Sequence, residues 1–402
     1  MQSKTTIKGY KKFELIIILA FMSAVAPLST DMYLPALAHV QTSFKTSEFF
    51  TQLSLASFFI AFAFGQLIYG PLSDIFGRKK PLIAGICLFM MASLGCVMVD
   101  NVAHFIILRF LEALGGCAGV VIARAIVNDL FELHEAGSIF ALMMVVSSLA
   151  PMLSPTFGGF LLQIFSWQSI FITLFLLGIV LLLFIIFRLA ESLKNSEISH
   201  FSQKKVLQNY HFVLKDRIFL IYTFSTAFAL GAMFAYITGS NFVFVGYFGL
   251  DEQIYALFFG LNSLGFMLTS VINSRLVLKN DPKKLLNFGF ISISVCAVFL
   301  IISGLFKSFL FFELSLFLTI ANLGLIMPNA TTLAMARFKE HSGTASALLG
   351  TAHFALAGSI SFAVGALGAN TPLFLACAIF CCAFFGAFIY FFGSYSKNTA
   401  NK

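Results

Sequence analysis

Charge is what this 402-residue chain has least of. Asp, Glu, Lys and Arg make up 10% of it and hydrophobic residues 59%, where a soluble domain carries roughly 25% charged residues. A chain so composed cannot coat itself in polar surface, and it reads as an integral membrane protein. Segments of about 10 residues with alternating polarity, the mark of an outer-membrane barrel, are missing. The apolar runs are about twice that length, so the class is all-α. Also missing are a G-x-x-x-x-G-K-(S/T) phosphate loop, an H-E-x-x-H pair and any Cys/His ligand spacing. Their absence argues against direct use of ATP, against an enzyme, and against a metal or other cofactor. The seven cysteines all fall inside apolar runs without a C-x-x-C pair, which makes them small packing residues. The net charge of +8 is spread over loops and forms no patch for nucleic acid.

Twelve apolar runs are present, at about 13–35, 49–72, 81–99, 102–129, 138–161, 166–188, 218–242, 253–276, 285–305, 308–333, 344–368 and 372–393. The first resembles a signal peptide because Lys4, Lys8, Lys11 and Lys12 precede it. It is too long for one, contains Pro27 and Asp31 and lacks a small-x-small cleavage site, so it is expected to remain as a first helix. A polar stretch divides the runs six and six. The expected organisation is an N-terminal half at 1–189, a cytoplasmic linker at 190–217 and a C-terminal half at 218–402. With the N-terminus inside, 21 Lys and Arg face the cytoplasm and only Lys45 and Lys307 face outward. By the positive-inside rule both ends are cytoplasmic, in an inner membrane crossed many times.

Between the second and third runs lies GQLIYGPLSDIFGRKKP. Gly70, Leu72, Ser73, Asp74, Gly77, Arg78 and Lys79 fill the pattern G-x-L-(S/A)-D-x-x-G-R-(K/R). The stretch resembles the cytoplasmic loop signature of the major facilitator superfamily. That resemblance implies two six-helix halves, related as parallel repeats, that rock about a midplane site.

Polar residues that survive inside the runs need a partner or a purpose, since a charge at the bilayer centre costs about 3 kcal/mol or more. Asp31, beside Tyr33 in STDMYLPAL, is either an interfacial carboxylate near a helix end or a proton-carrying acid lining a cavity. At 100° per residue, Arg109, Glu112, Gly116, Gly119 and Ala123 share one face of the fourth helix. The face opens with an ion pair at i, i+3 and continues as small residues that admit a close neighbour. Two readings stay open: Arg109 and Glu112 simply neutralise each other, or Arg109 competes for a titrating acid, Glu112 or Asp31. Asp129, at the cytoplasmic end of that helix, is expected to pair with Arg78 or the adjacent lysines. Asp74 is placed to stabilise, by its charge, a helix N-terminus from the other half. Pro151 and Pro155 bend the fifth helix, and Gly158 and Gly159 allow close packing at an interface between halves. In the second half amides replace charges: Asn241, Asn262, Asn273, Asn322 and Asn329, with Tyr236 and His353. These are either substrate contacts or interhelical hydrogen bonds. Glu313 and Glu14 are expected at solvated or interfacial helix ends.

DMYLPAL at 31–37, RFLEALGG at 109–116, ARAIVNDL at 123–130, APMLSPTFGG at 150–159, FAYITGSNFVF at 234–244, FGLNSLG at 259–265, MPNATTLA at 327–334 and SGTASALLG at 342–350 occur in that order. Together they resemble the Bcr/CflA subfamily of drug:proton antiporters. The resemblance implies an inner-membrane exporter, a monomer, whose partners are protons, the lipid bilayer and hydrophobic drugs of the chloramphenicol or bicyclomycin kind. By position, Asp31 matches the family's membrane acid of helix 1 and Arg109 the helix 4 arginine tied to proton coupling. Glu112 departs from the family's usual Gln, and Asn241 from its usual Pro. The expected function is antiport of small amphipathic compounds by alternating access. Asp31, Arg109 and Glu112 would couple protons, and Asp31, Tyr33, Glu112, Tyr236, Asn241, Asn262 and Asn329 would contact substrate. Gly70, Asp74, Gly77, Arg78, Lys79 and Asp129 would form a cytoplasmic gate. The alternative is the same fold carrying a metabolite such as a siderophore or amino acid.

Overall fold

A computed structural model describes residues 10–193, 203–306, 308–367 and 371–400, and among them every regular element is a helix. The first set is α1 (Tyr10–Asp31), α2 (Leu37–Ser43), α3 (Glu48–Phe76), α4 (Lys79–Met98), α5 (Val102–Leu130), α6 (Leu133–Ile164) and α7 (Gln168–Phe187). A short α8 (Gln203–Leu214) follows, then α9 (Arg217–Asn241), α10 (Glu252–Leu276), α11 (Pro282–Phe306), α12 (Phe309–Ala321), α13 (Leu323–Met335), α14 (Ser342–Leu367) and α15 (Pro372–Ala400). Eleven spans among the described residues are long and apolar enough to cross a membrane. The 32-residue α6 accounts for the remaining apolar run. Lys4, Lys8, Lys307 and the part of the linker at 194–202 lie outside the described residues.

The tenth apolar run is not one helix. It divides into α12 and α13 at Asn322, whose amide donates to the Leu318 carbonyl at 2.7 Å. Pro328 lies within α13 and has no N–H to continue the helical ladder. Thr269 of α10 donates to the freed Ala321 carbonyl at 2.5 Å, so the break is satisfied from a neighbouring helix. The polar linker also holds more order than its composition suggests: α8 forms within it, and the Tyr210 hydroxyl donates to the Leu67 carbonyl of α3.

By internal contacts the chain forms two compact units. One comprises Met1–Phe131, Leu149–His211 and Phe338–Thr351, the other Glu132–Ser148, Phe212–Arg337 and Ala352–Lys402. Helices α6 and α14 each contribute a part to both. In the first unit α5 is the central helix, packed on α1, α3 and α4. The predicted small-residue face makes this possible: a Cβ on Gly119 would lie 2.4 Å from the Met22 carbonyl oxygen of α1. Between Phe105 and Asn128 most α5 side chains are buried. In the second unit α9 packs on α13 and α15, and α11 on α12, α13 and α15. Large apolar side chains such as Phe187, Phe288, Leu310, Phe362 and Phe392 remain exposed, as expected of surfaces that meet lipid rather than water.

Candidate functional site

Arg78 follows Gly77, whose φ of +85° ends α3. In that left-handed turn a side chain would be strained, and a Cβ would also strike Glu191 Oε2 at 2.7 Å. The turn sends Arg78 back under α3, where it is wholly buried. All five of its guanidinium N–H groups have acceptors. Nε donates to Asp129 Oδ2 at 2.9 Å, Nη1 to Asp74 at 2.6 Å and Ser73 at 2.9 Å, and Nη2 to Asp129 Oδ1 at 3.2 Å and Ser342 at 2.6 Å. Burial works against the charged guanidinium, but Asp129 and Asp74 outweigh it and hold its pKa above the ordinary value.

Two carboxylates against one cation would leave a buried negative charge. The start of α14 balances it. Asp74 accepts from the backbone N–H of Gly343 at 2.8 Å and of Thr344 at 2.7 Å, and from the Thr344 hydroxyl at 2.6 Å. A carboxylate at a helix N-terminus is stabilised by the unpaired amides and the helix dipole. Ser342 and Ser192 donate to Asp129 at 2.7 and 2.9 Å. Glu191 plays the corresponding part for α4, accepting from the backbone N–H groups of Arg78 and Lys79 at 2.8 and 3.0 Å. The Lys79 ammonium turns away to the Ile186 carbonyl at the end of α7. The signature residues and Asp129 are thus brought together. The sequence reading missed Ser342, Thr344, Ser192 and Glu191; Ser-Gly-Thr immediately before an apolar run was the signal available for the first two.

A second cluster lies inside α5. Arg109 Nη1 donates to Glu112 Oε2 at 2.6 Å, and both side chains are fully buried. Ser29 of α1 and Ser93 of α4 donate to Glu112 Oε1 at 2.8 and 3.1 Å. The guanidinium carbon stands over Phe58, Tyr33 and Phe171, 4.5, 4.7 and 5.5 Å from the ring centroids, so cation–π attraction replaces part of the lost hydration. Tyr33 is wholly buried and its hydroxyl meets Ser54 at 2.8 Å. Asp31 is not joined to this cluster; Thr30 bonds its Oδ1 at 3.1 Å. Six residues from the end of α5, Arg124 is buried beside Gln66, and among the described residues its Nη1 and both amide atoms of Gln66 lack hydrogen-bond partners.

The second unit pairs Asn262 with Tyr236, Nδ2 donating to the hydroxyl at 3.1 Å, and Tyr236 stacks on Phe259 at 5.4 Å. Asn329 of α13 donates to Asn273 of α10 at 2.7 Å, while Asn273 Nδ2 and Asn329 Oδ1 have no hydrogen-bond partner among the described residues. His353 meets Thr226 at 2.8 Å. Asn241 ends α9, and Pro151 and Pro155 lie in α6; the side chains of these three are outside the described residues. A Cβ on Gly158 would lie 2.3 Å from the Met32 carbonyl oxygen just past the end of α1, while Gly159 has open space. Glu14 pairs with Arg188 at 3.2 Å in a partly exposed bridge. Glu313 departs from the expectation of a solvated helix end: it is 5% exposed.

Comparison with known proteins agrees with this architecture. An uncharacterized MFS-type transporter, YdgK, of Bacillus subtilis is 33% identical over 386 residues, covering 94% of this chain and 96% of its own. A bicyclomycin resistance protein homolog of Haemophilus influenzae is 27% identical over 381 residues, covering 94% and 96%. The crystal structure of the human organic anion transporter MFSD10 superposes with a TM-score of 0.73 at 16% identity, over 94% of this chain and 100% of that one. The model of the Major Facilitator Superfamily matches residues 19–362. The chain belongs to the major facilitator superfamily, as a transporter of the Bcr/CflA type.

Proposed function

We propose that this transporter exports small amphipathic compounds from the cytoplasm in exchange for protons, by alternating access between halves 1–189 and 218–402. It would act as a monomer in the inner membrane with both ends cytoplasmic. The observation that carries the reading is the buried Arg109–Glu112 pair with its two serines and three rings. Protonating Glu112 would leave the Arg109 charge buried without a counter-charge, which costs several kcal/mol. Arg109 already donates to the Ser29 carbonyl at 3.4 Å, two residues before Asp31. Exchange of partner from Glu112 to Asp31 would couple proton uptake to movement of α1 against α5. The Arg78 cluster would act as the cytoplasmic gate, opening when the halves rock.

The test uses inverted membrane vesicles with an acidified lumen, compounds being added singly while proton release is followed. Release on adding a chloramphenicol-like or bicyclomycin-like compound, lost in Asp31→Asn, is the expected result. Silence across the panel, with uptake of a metabolite by whole cells, overturns the export reading. One observation favours that alternative: Arg124 and Gln66 offer unpartnered donors to an anionic or carbonyl-bearing metabolite.

A further inference from the structure

Glu313 is the fifth residue of α12, about 6 Å along its axis at 1.5 Å per residue. It is buried, yet among the described residues neither carboxylate oxygen has a hydrogen-bond partner. Asn262 of α10 stands beside it, close enough for its amide to act on the carboxyl. The Asn262 Nδ2 is spent on the Tyr236 hydroxyl, and its Oδ1 is likewise without a partner. Three acceptor atoms, two on Glu313 and one on Asn262, therefore stand in a water-poor site without a donor among the described residues. An ionised carboxylate there would be both unpaired and unsolvated, which membrane interiors do not tolerate without a cation. One proton resolves both deficits.

The elements packed on α12 are α10, α11, α13 and the helical turn Phe242–Tyr247, whose Phe244 ring meets Phe309 and Phe312 and whose one titratable group is Tyr247. Among the described residues none of them offers a cation. Arg275 of α10 and Lys283 and Lys284 of α11 lie at the far ends of those helices. Asp251, at the head of α10, is exposed, and α13 carries no charged residue. The titratable groups in range are the Tyr236 hydroxyl and, beyond it, Tyr255, which bonds Ser240 at 3.0 Å. Cys296 of α11 is taken by Asn322 at 3.8 Å. Tyrosine and cysteine supply no positive charge.

We propose that Glu313 and Asn262 form a proton-binding site in the second unit, the carboxyl O–H donating to Asn262 Oδ1. The first unit holds Asp74 and Asp129 against Arg78 and Glu112 against Arg109, whereas this acid is balanced by a proton instead of an arginine. Its use in transport rests on the antiport reading; its existence does not. Infrared spectroscopy of the purified protein in proteoliposomes at neutral pH separates the two. A protonated-carboxyl C=O band is expected in the wild type, shifted in deuterated water. It is lost in Glu313→Gln and retained in Asp31→Asn and Glu112→Gln. Gln can make the same donation to Asn262, so Glu313→Gln is expected to melt at the wild-type temperature. Asn262→Ala should keep the band but move it to higher frequency, as the hydrogen bond is lost. A wild-type spectrum without the band, a band that survives Glu313→Gln, or an unshifted band in Asn262→Ala overturns the proposal. None of these measurements needs a substrate, so failure of the antiport reading leaves them unaffected.

Discussion

Gly70 and Gly343 hold α3 and α14 in backbone contact. A Cβ on Gly70 would lie 2.6 Å from the Gly343 carbonyl oxygen, and one on Gly343 2.4 Å from that of Gly70. The crossing brings the first turn of α14 onto Asp74. Gly70→Ala must push α14 away, because the obstacle is backbone and cannot rotate aside. The expected cost is about 1–3 kcal/mol, read as a lower melting temperature in detergent together with a several-fold loss of transport. Gly343→Ala should do the same, and the double variant should cost less than the sum, since both act on one contact.

Arg78→Ala strips two carboxylates of their common cation. Transport should fall at least tenfold, and Arg78→Lys should recover little of it, because one ammonium cannot serve the acceptors that five N–H groups reach. A swap of Arg78 and Asp129 should restore only part of the activity, since the new acid would stand beside Asp74. Transport by the three variants in vesicles of matched expression checks this. Full recovery in Arg78→Lys would remove the geometric argument.

Glu112→Gln keeps the shape of the side chain and removes the charge that faces Arg109. The expected result is a destabilisation of about 3 kcal/mol with a flattened pH profile of transport. Arg109→Met combined with Glu112→Leu should recover the stability and none of the coupled transport, because a buried pair can be replaced by packing but not mimicked chemically. Melting temperatures and pH–rate profiles of the single and double variants decide it.

Asp31→Asn should be nearly silent in stability, within about 0.5 kcal/mol, because the bond from the adjacent Thr30 is local. Transport driven by a pH gradient should nonetheless be abolished. Wild-type rates in this variant would take Asp31 out of the mechanism.

Asp216 begins α9 and accepts from the Phe219 N–H at 2.8 Å and from Arg337 at 2.5–2.9 Å. Burial alone would raise its pKa; the bonds from Arg337 and from the helix backbone outweigh burial and lower it below the usual 3.8. A folded-state pKa below the unfolded one contributes stability above about pH 4 that is lost as pH falls through the folded value. Arg337→Gln should therefore reduce stability at neutral pH and flatten the acid limb. The bridge is partly exposed, so the effect should stay below about 1 kcal/mol. Thermal melts from pH 3 to 7 report it.

The helices were legible because apolar length and cation placement are properties of the chain itself. Arg78 with Asp129 and Arg109 with Glu112 were legible for a related reason, since charges in a membrane have few choices of partner. Glu313 was misplaced because nearness to a helix end looks the same in sequence whether the end meets water or packs against Asn262. Ser342 and Glu191 were missed because their partners lie 264 and 113 residues away; Ser-Gly-Thr at 342–344 marks a helix start but not which side chain meets it. The break at Asn322 escaped notice because hydropathy does not record where a carbonyl finds a threonine.

The cluster around Arg78 also sets an order of assembly. Arg78 and Asp129 are 51 residues apart and are synthesised early, but Asp74 waits for Gly343 and Thr344, 269 and 270 residues downstream. A nascent chain shorter than that carries two acids against one arginine and no helix N-terminus to share the excess. The first unit thus reaches its final energy only once α14 has been delivered, so damage late in the chain is felt first at its beginning.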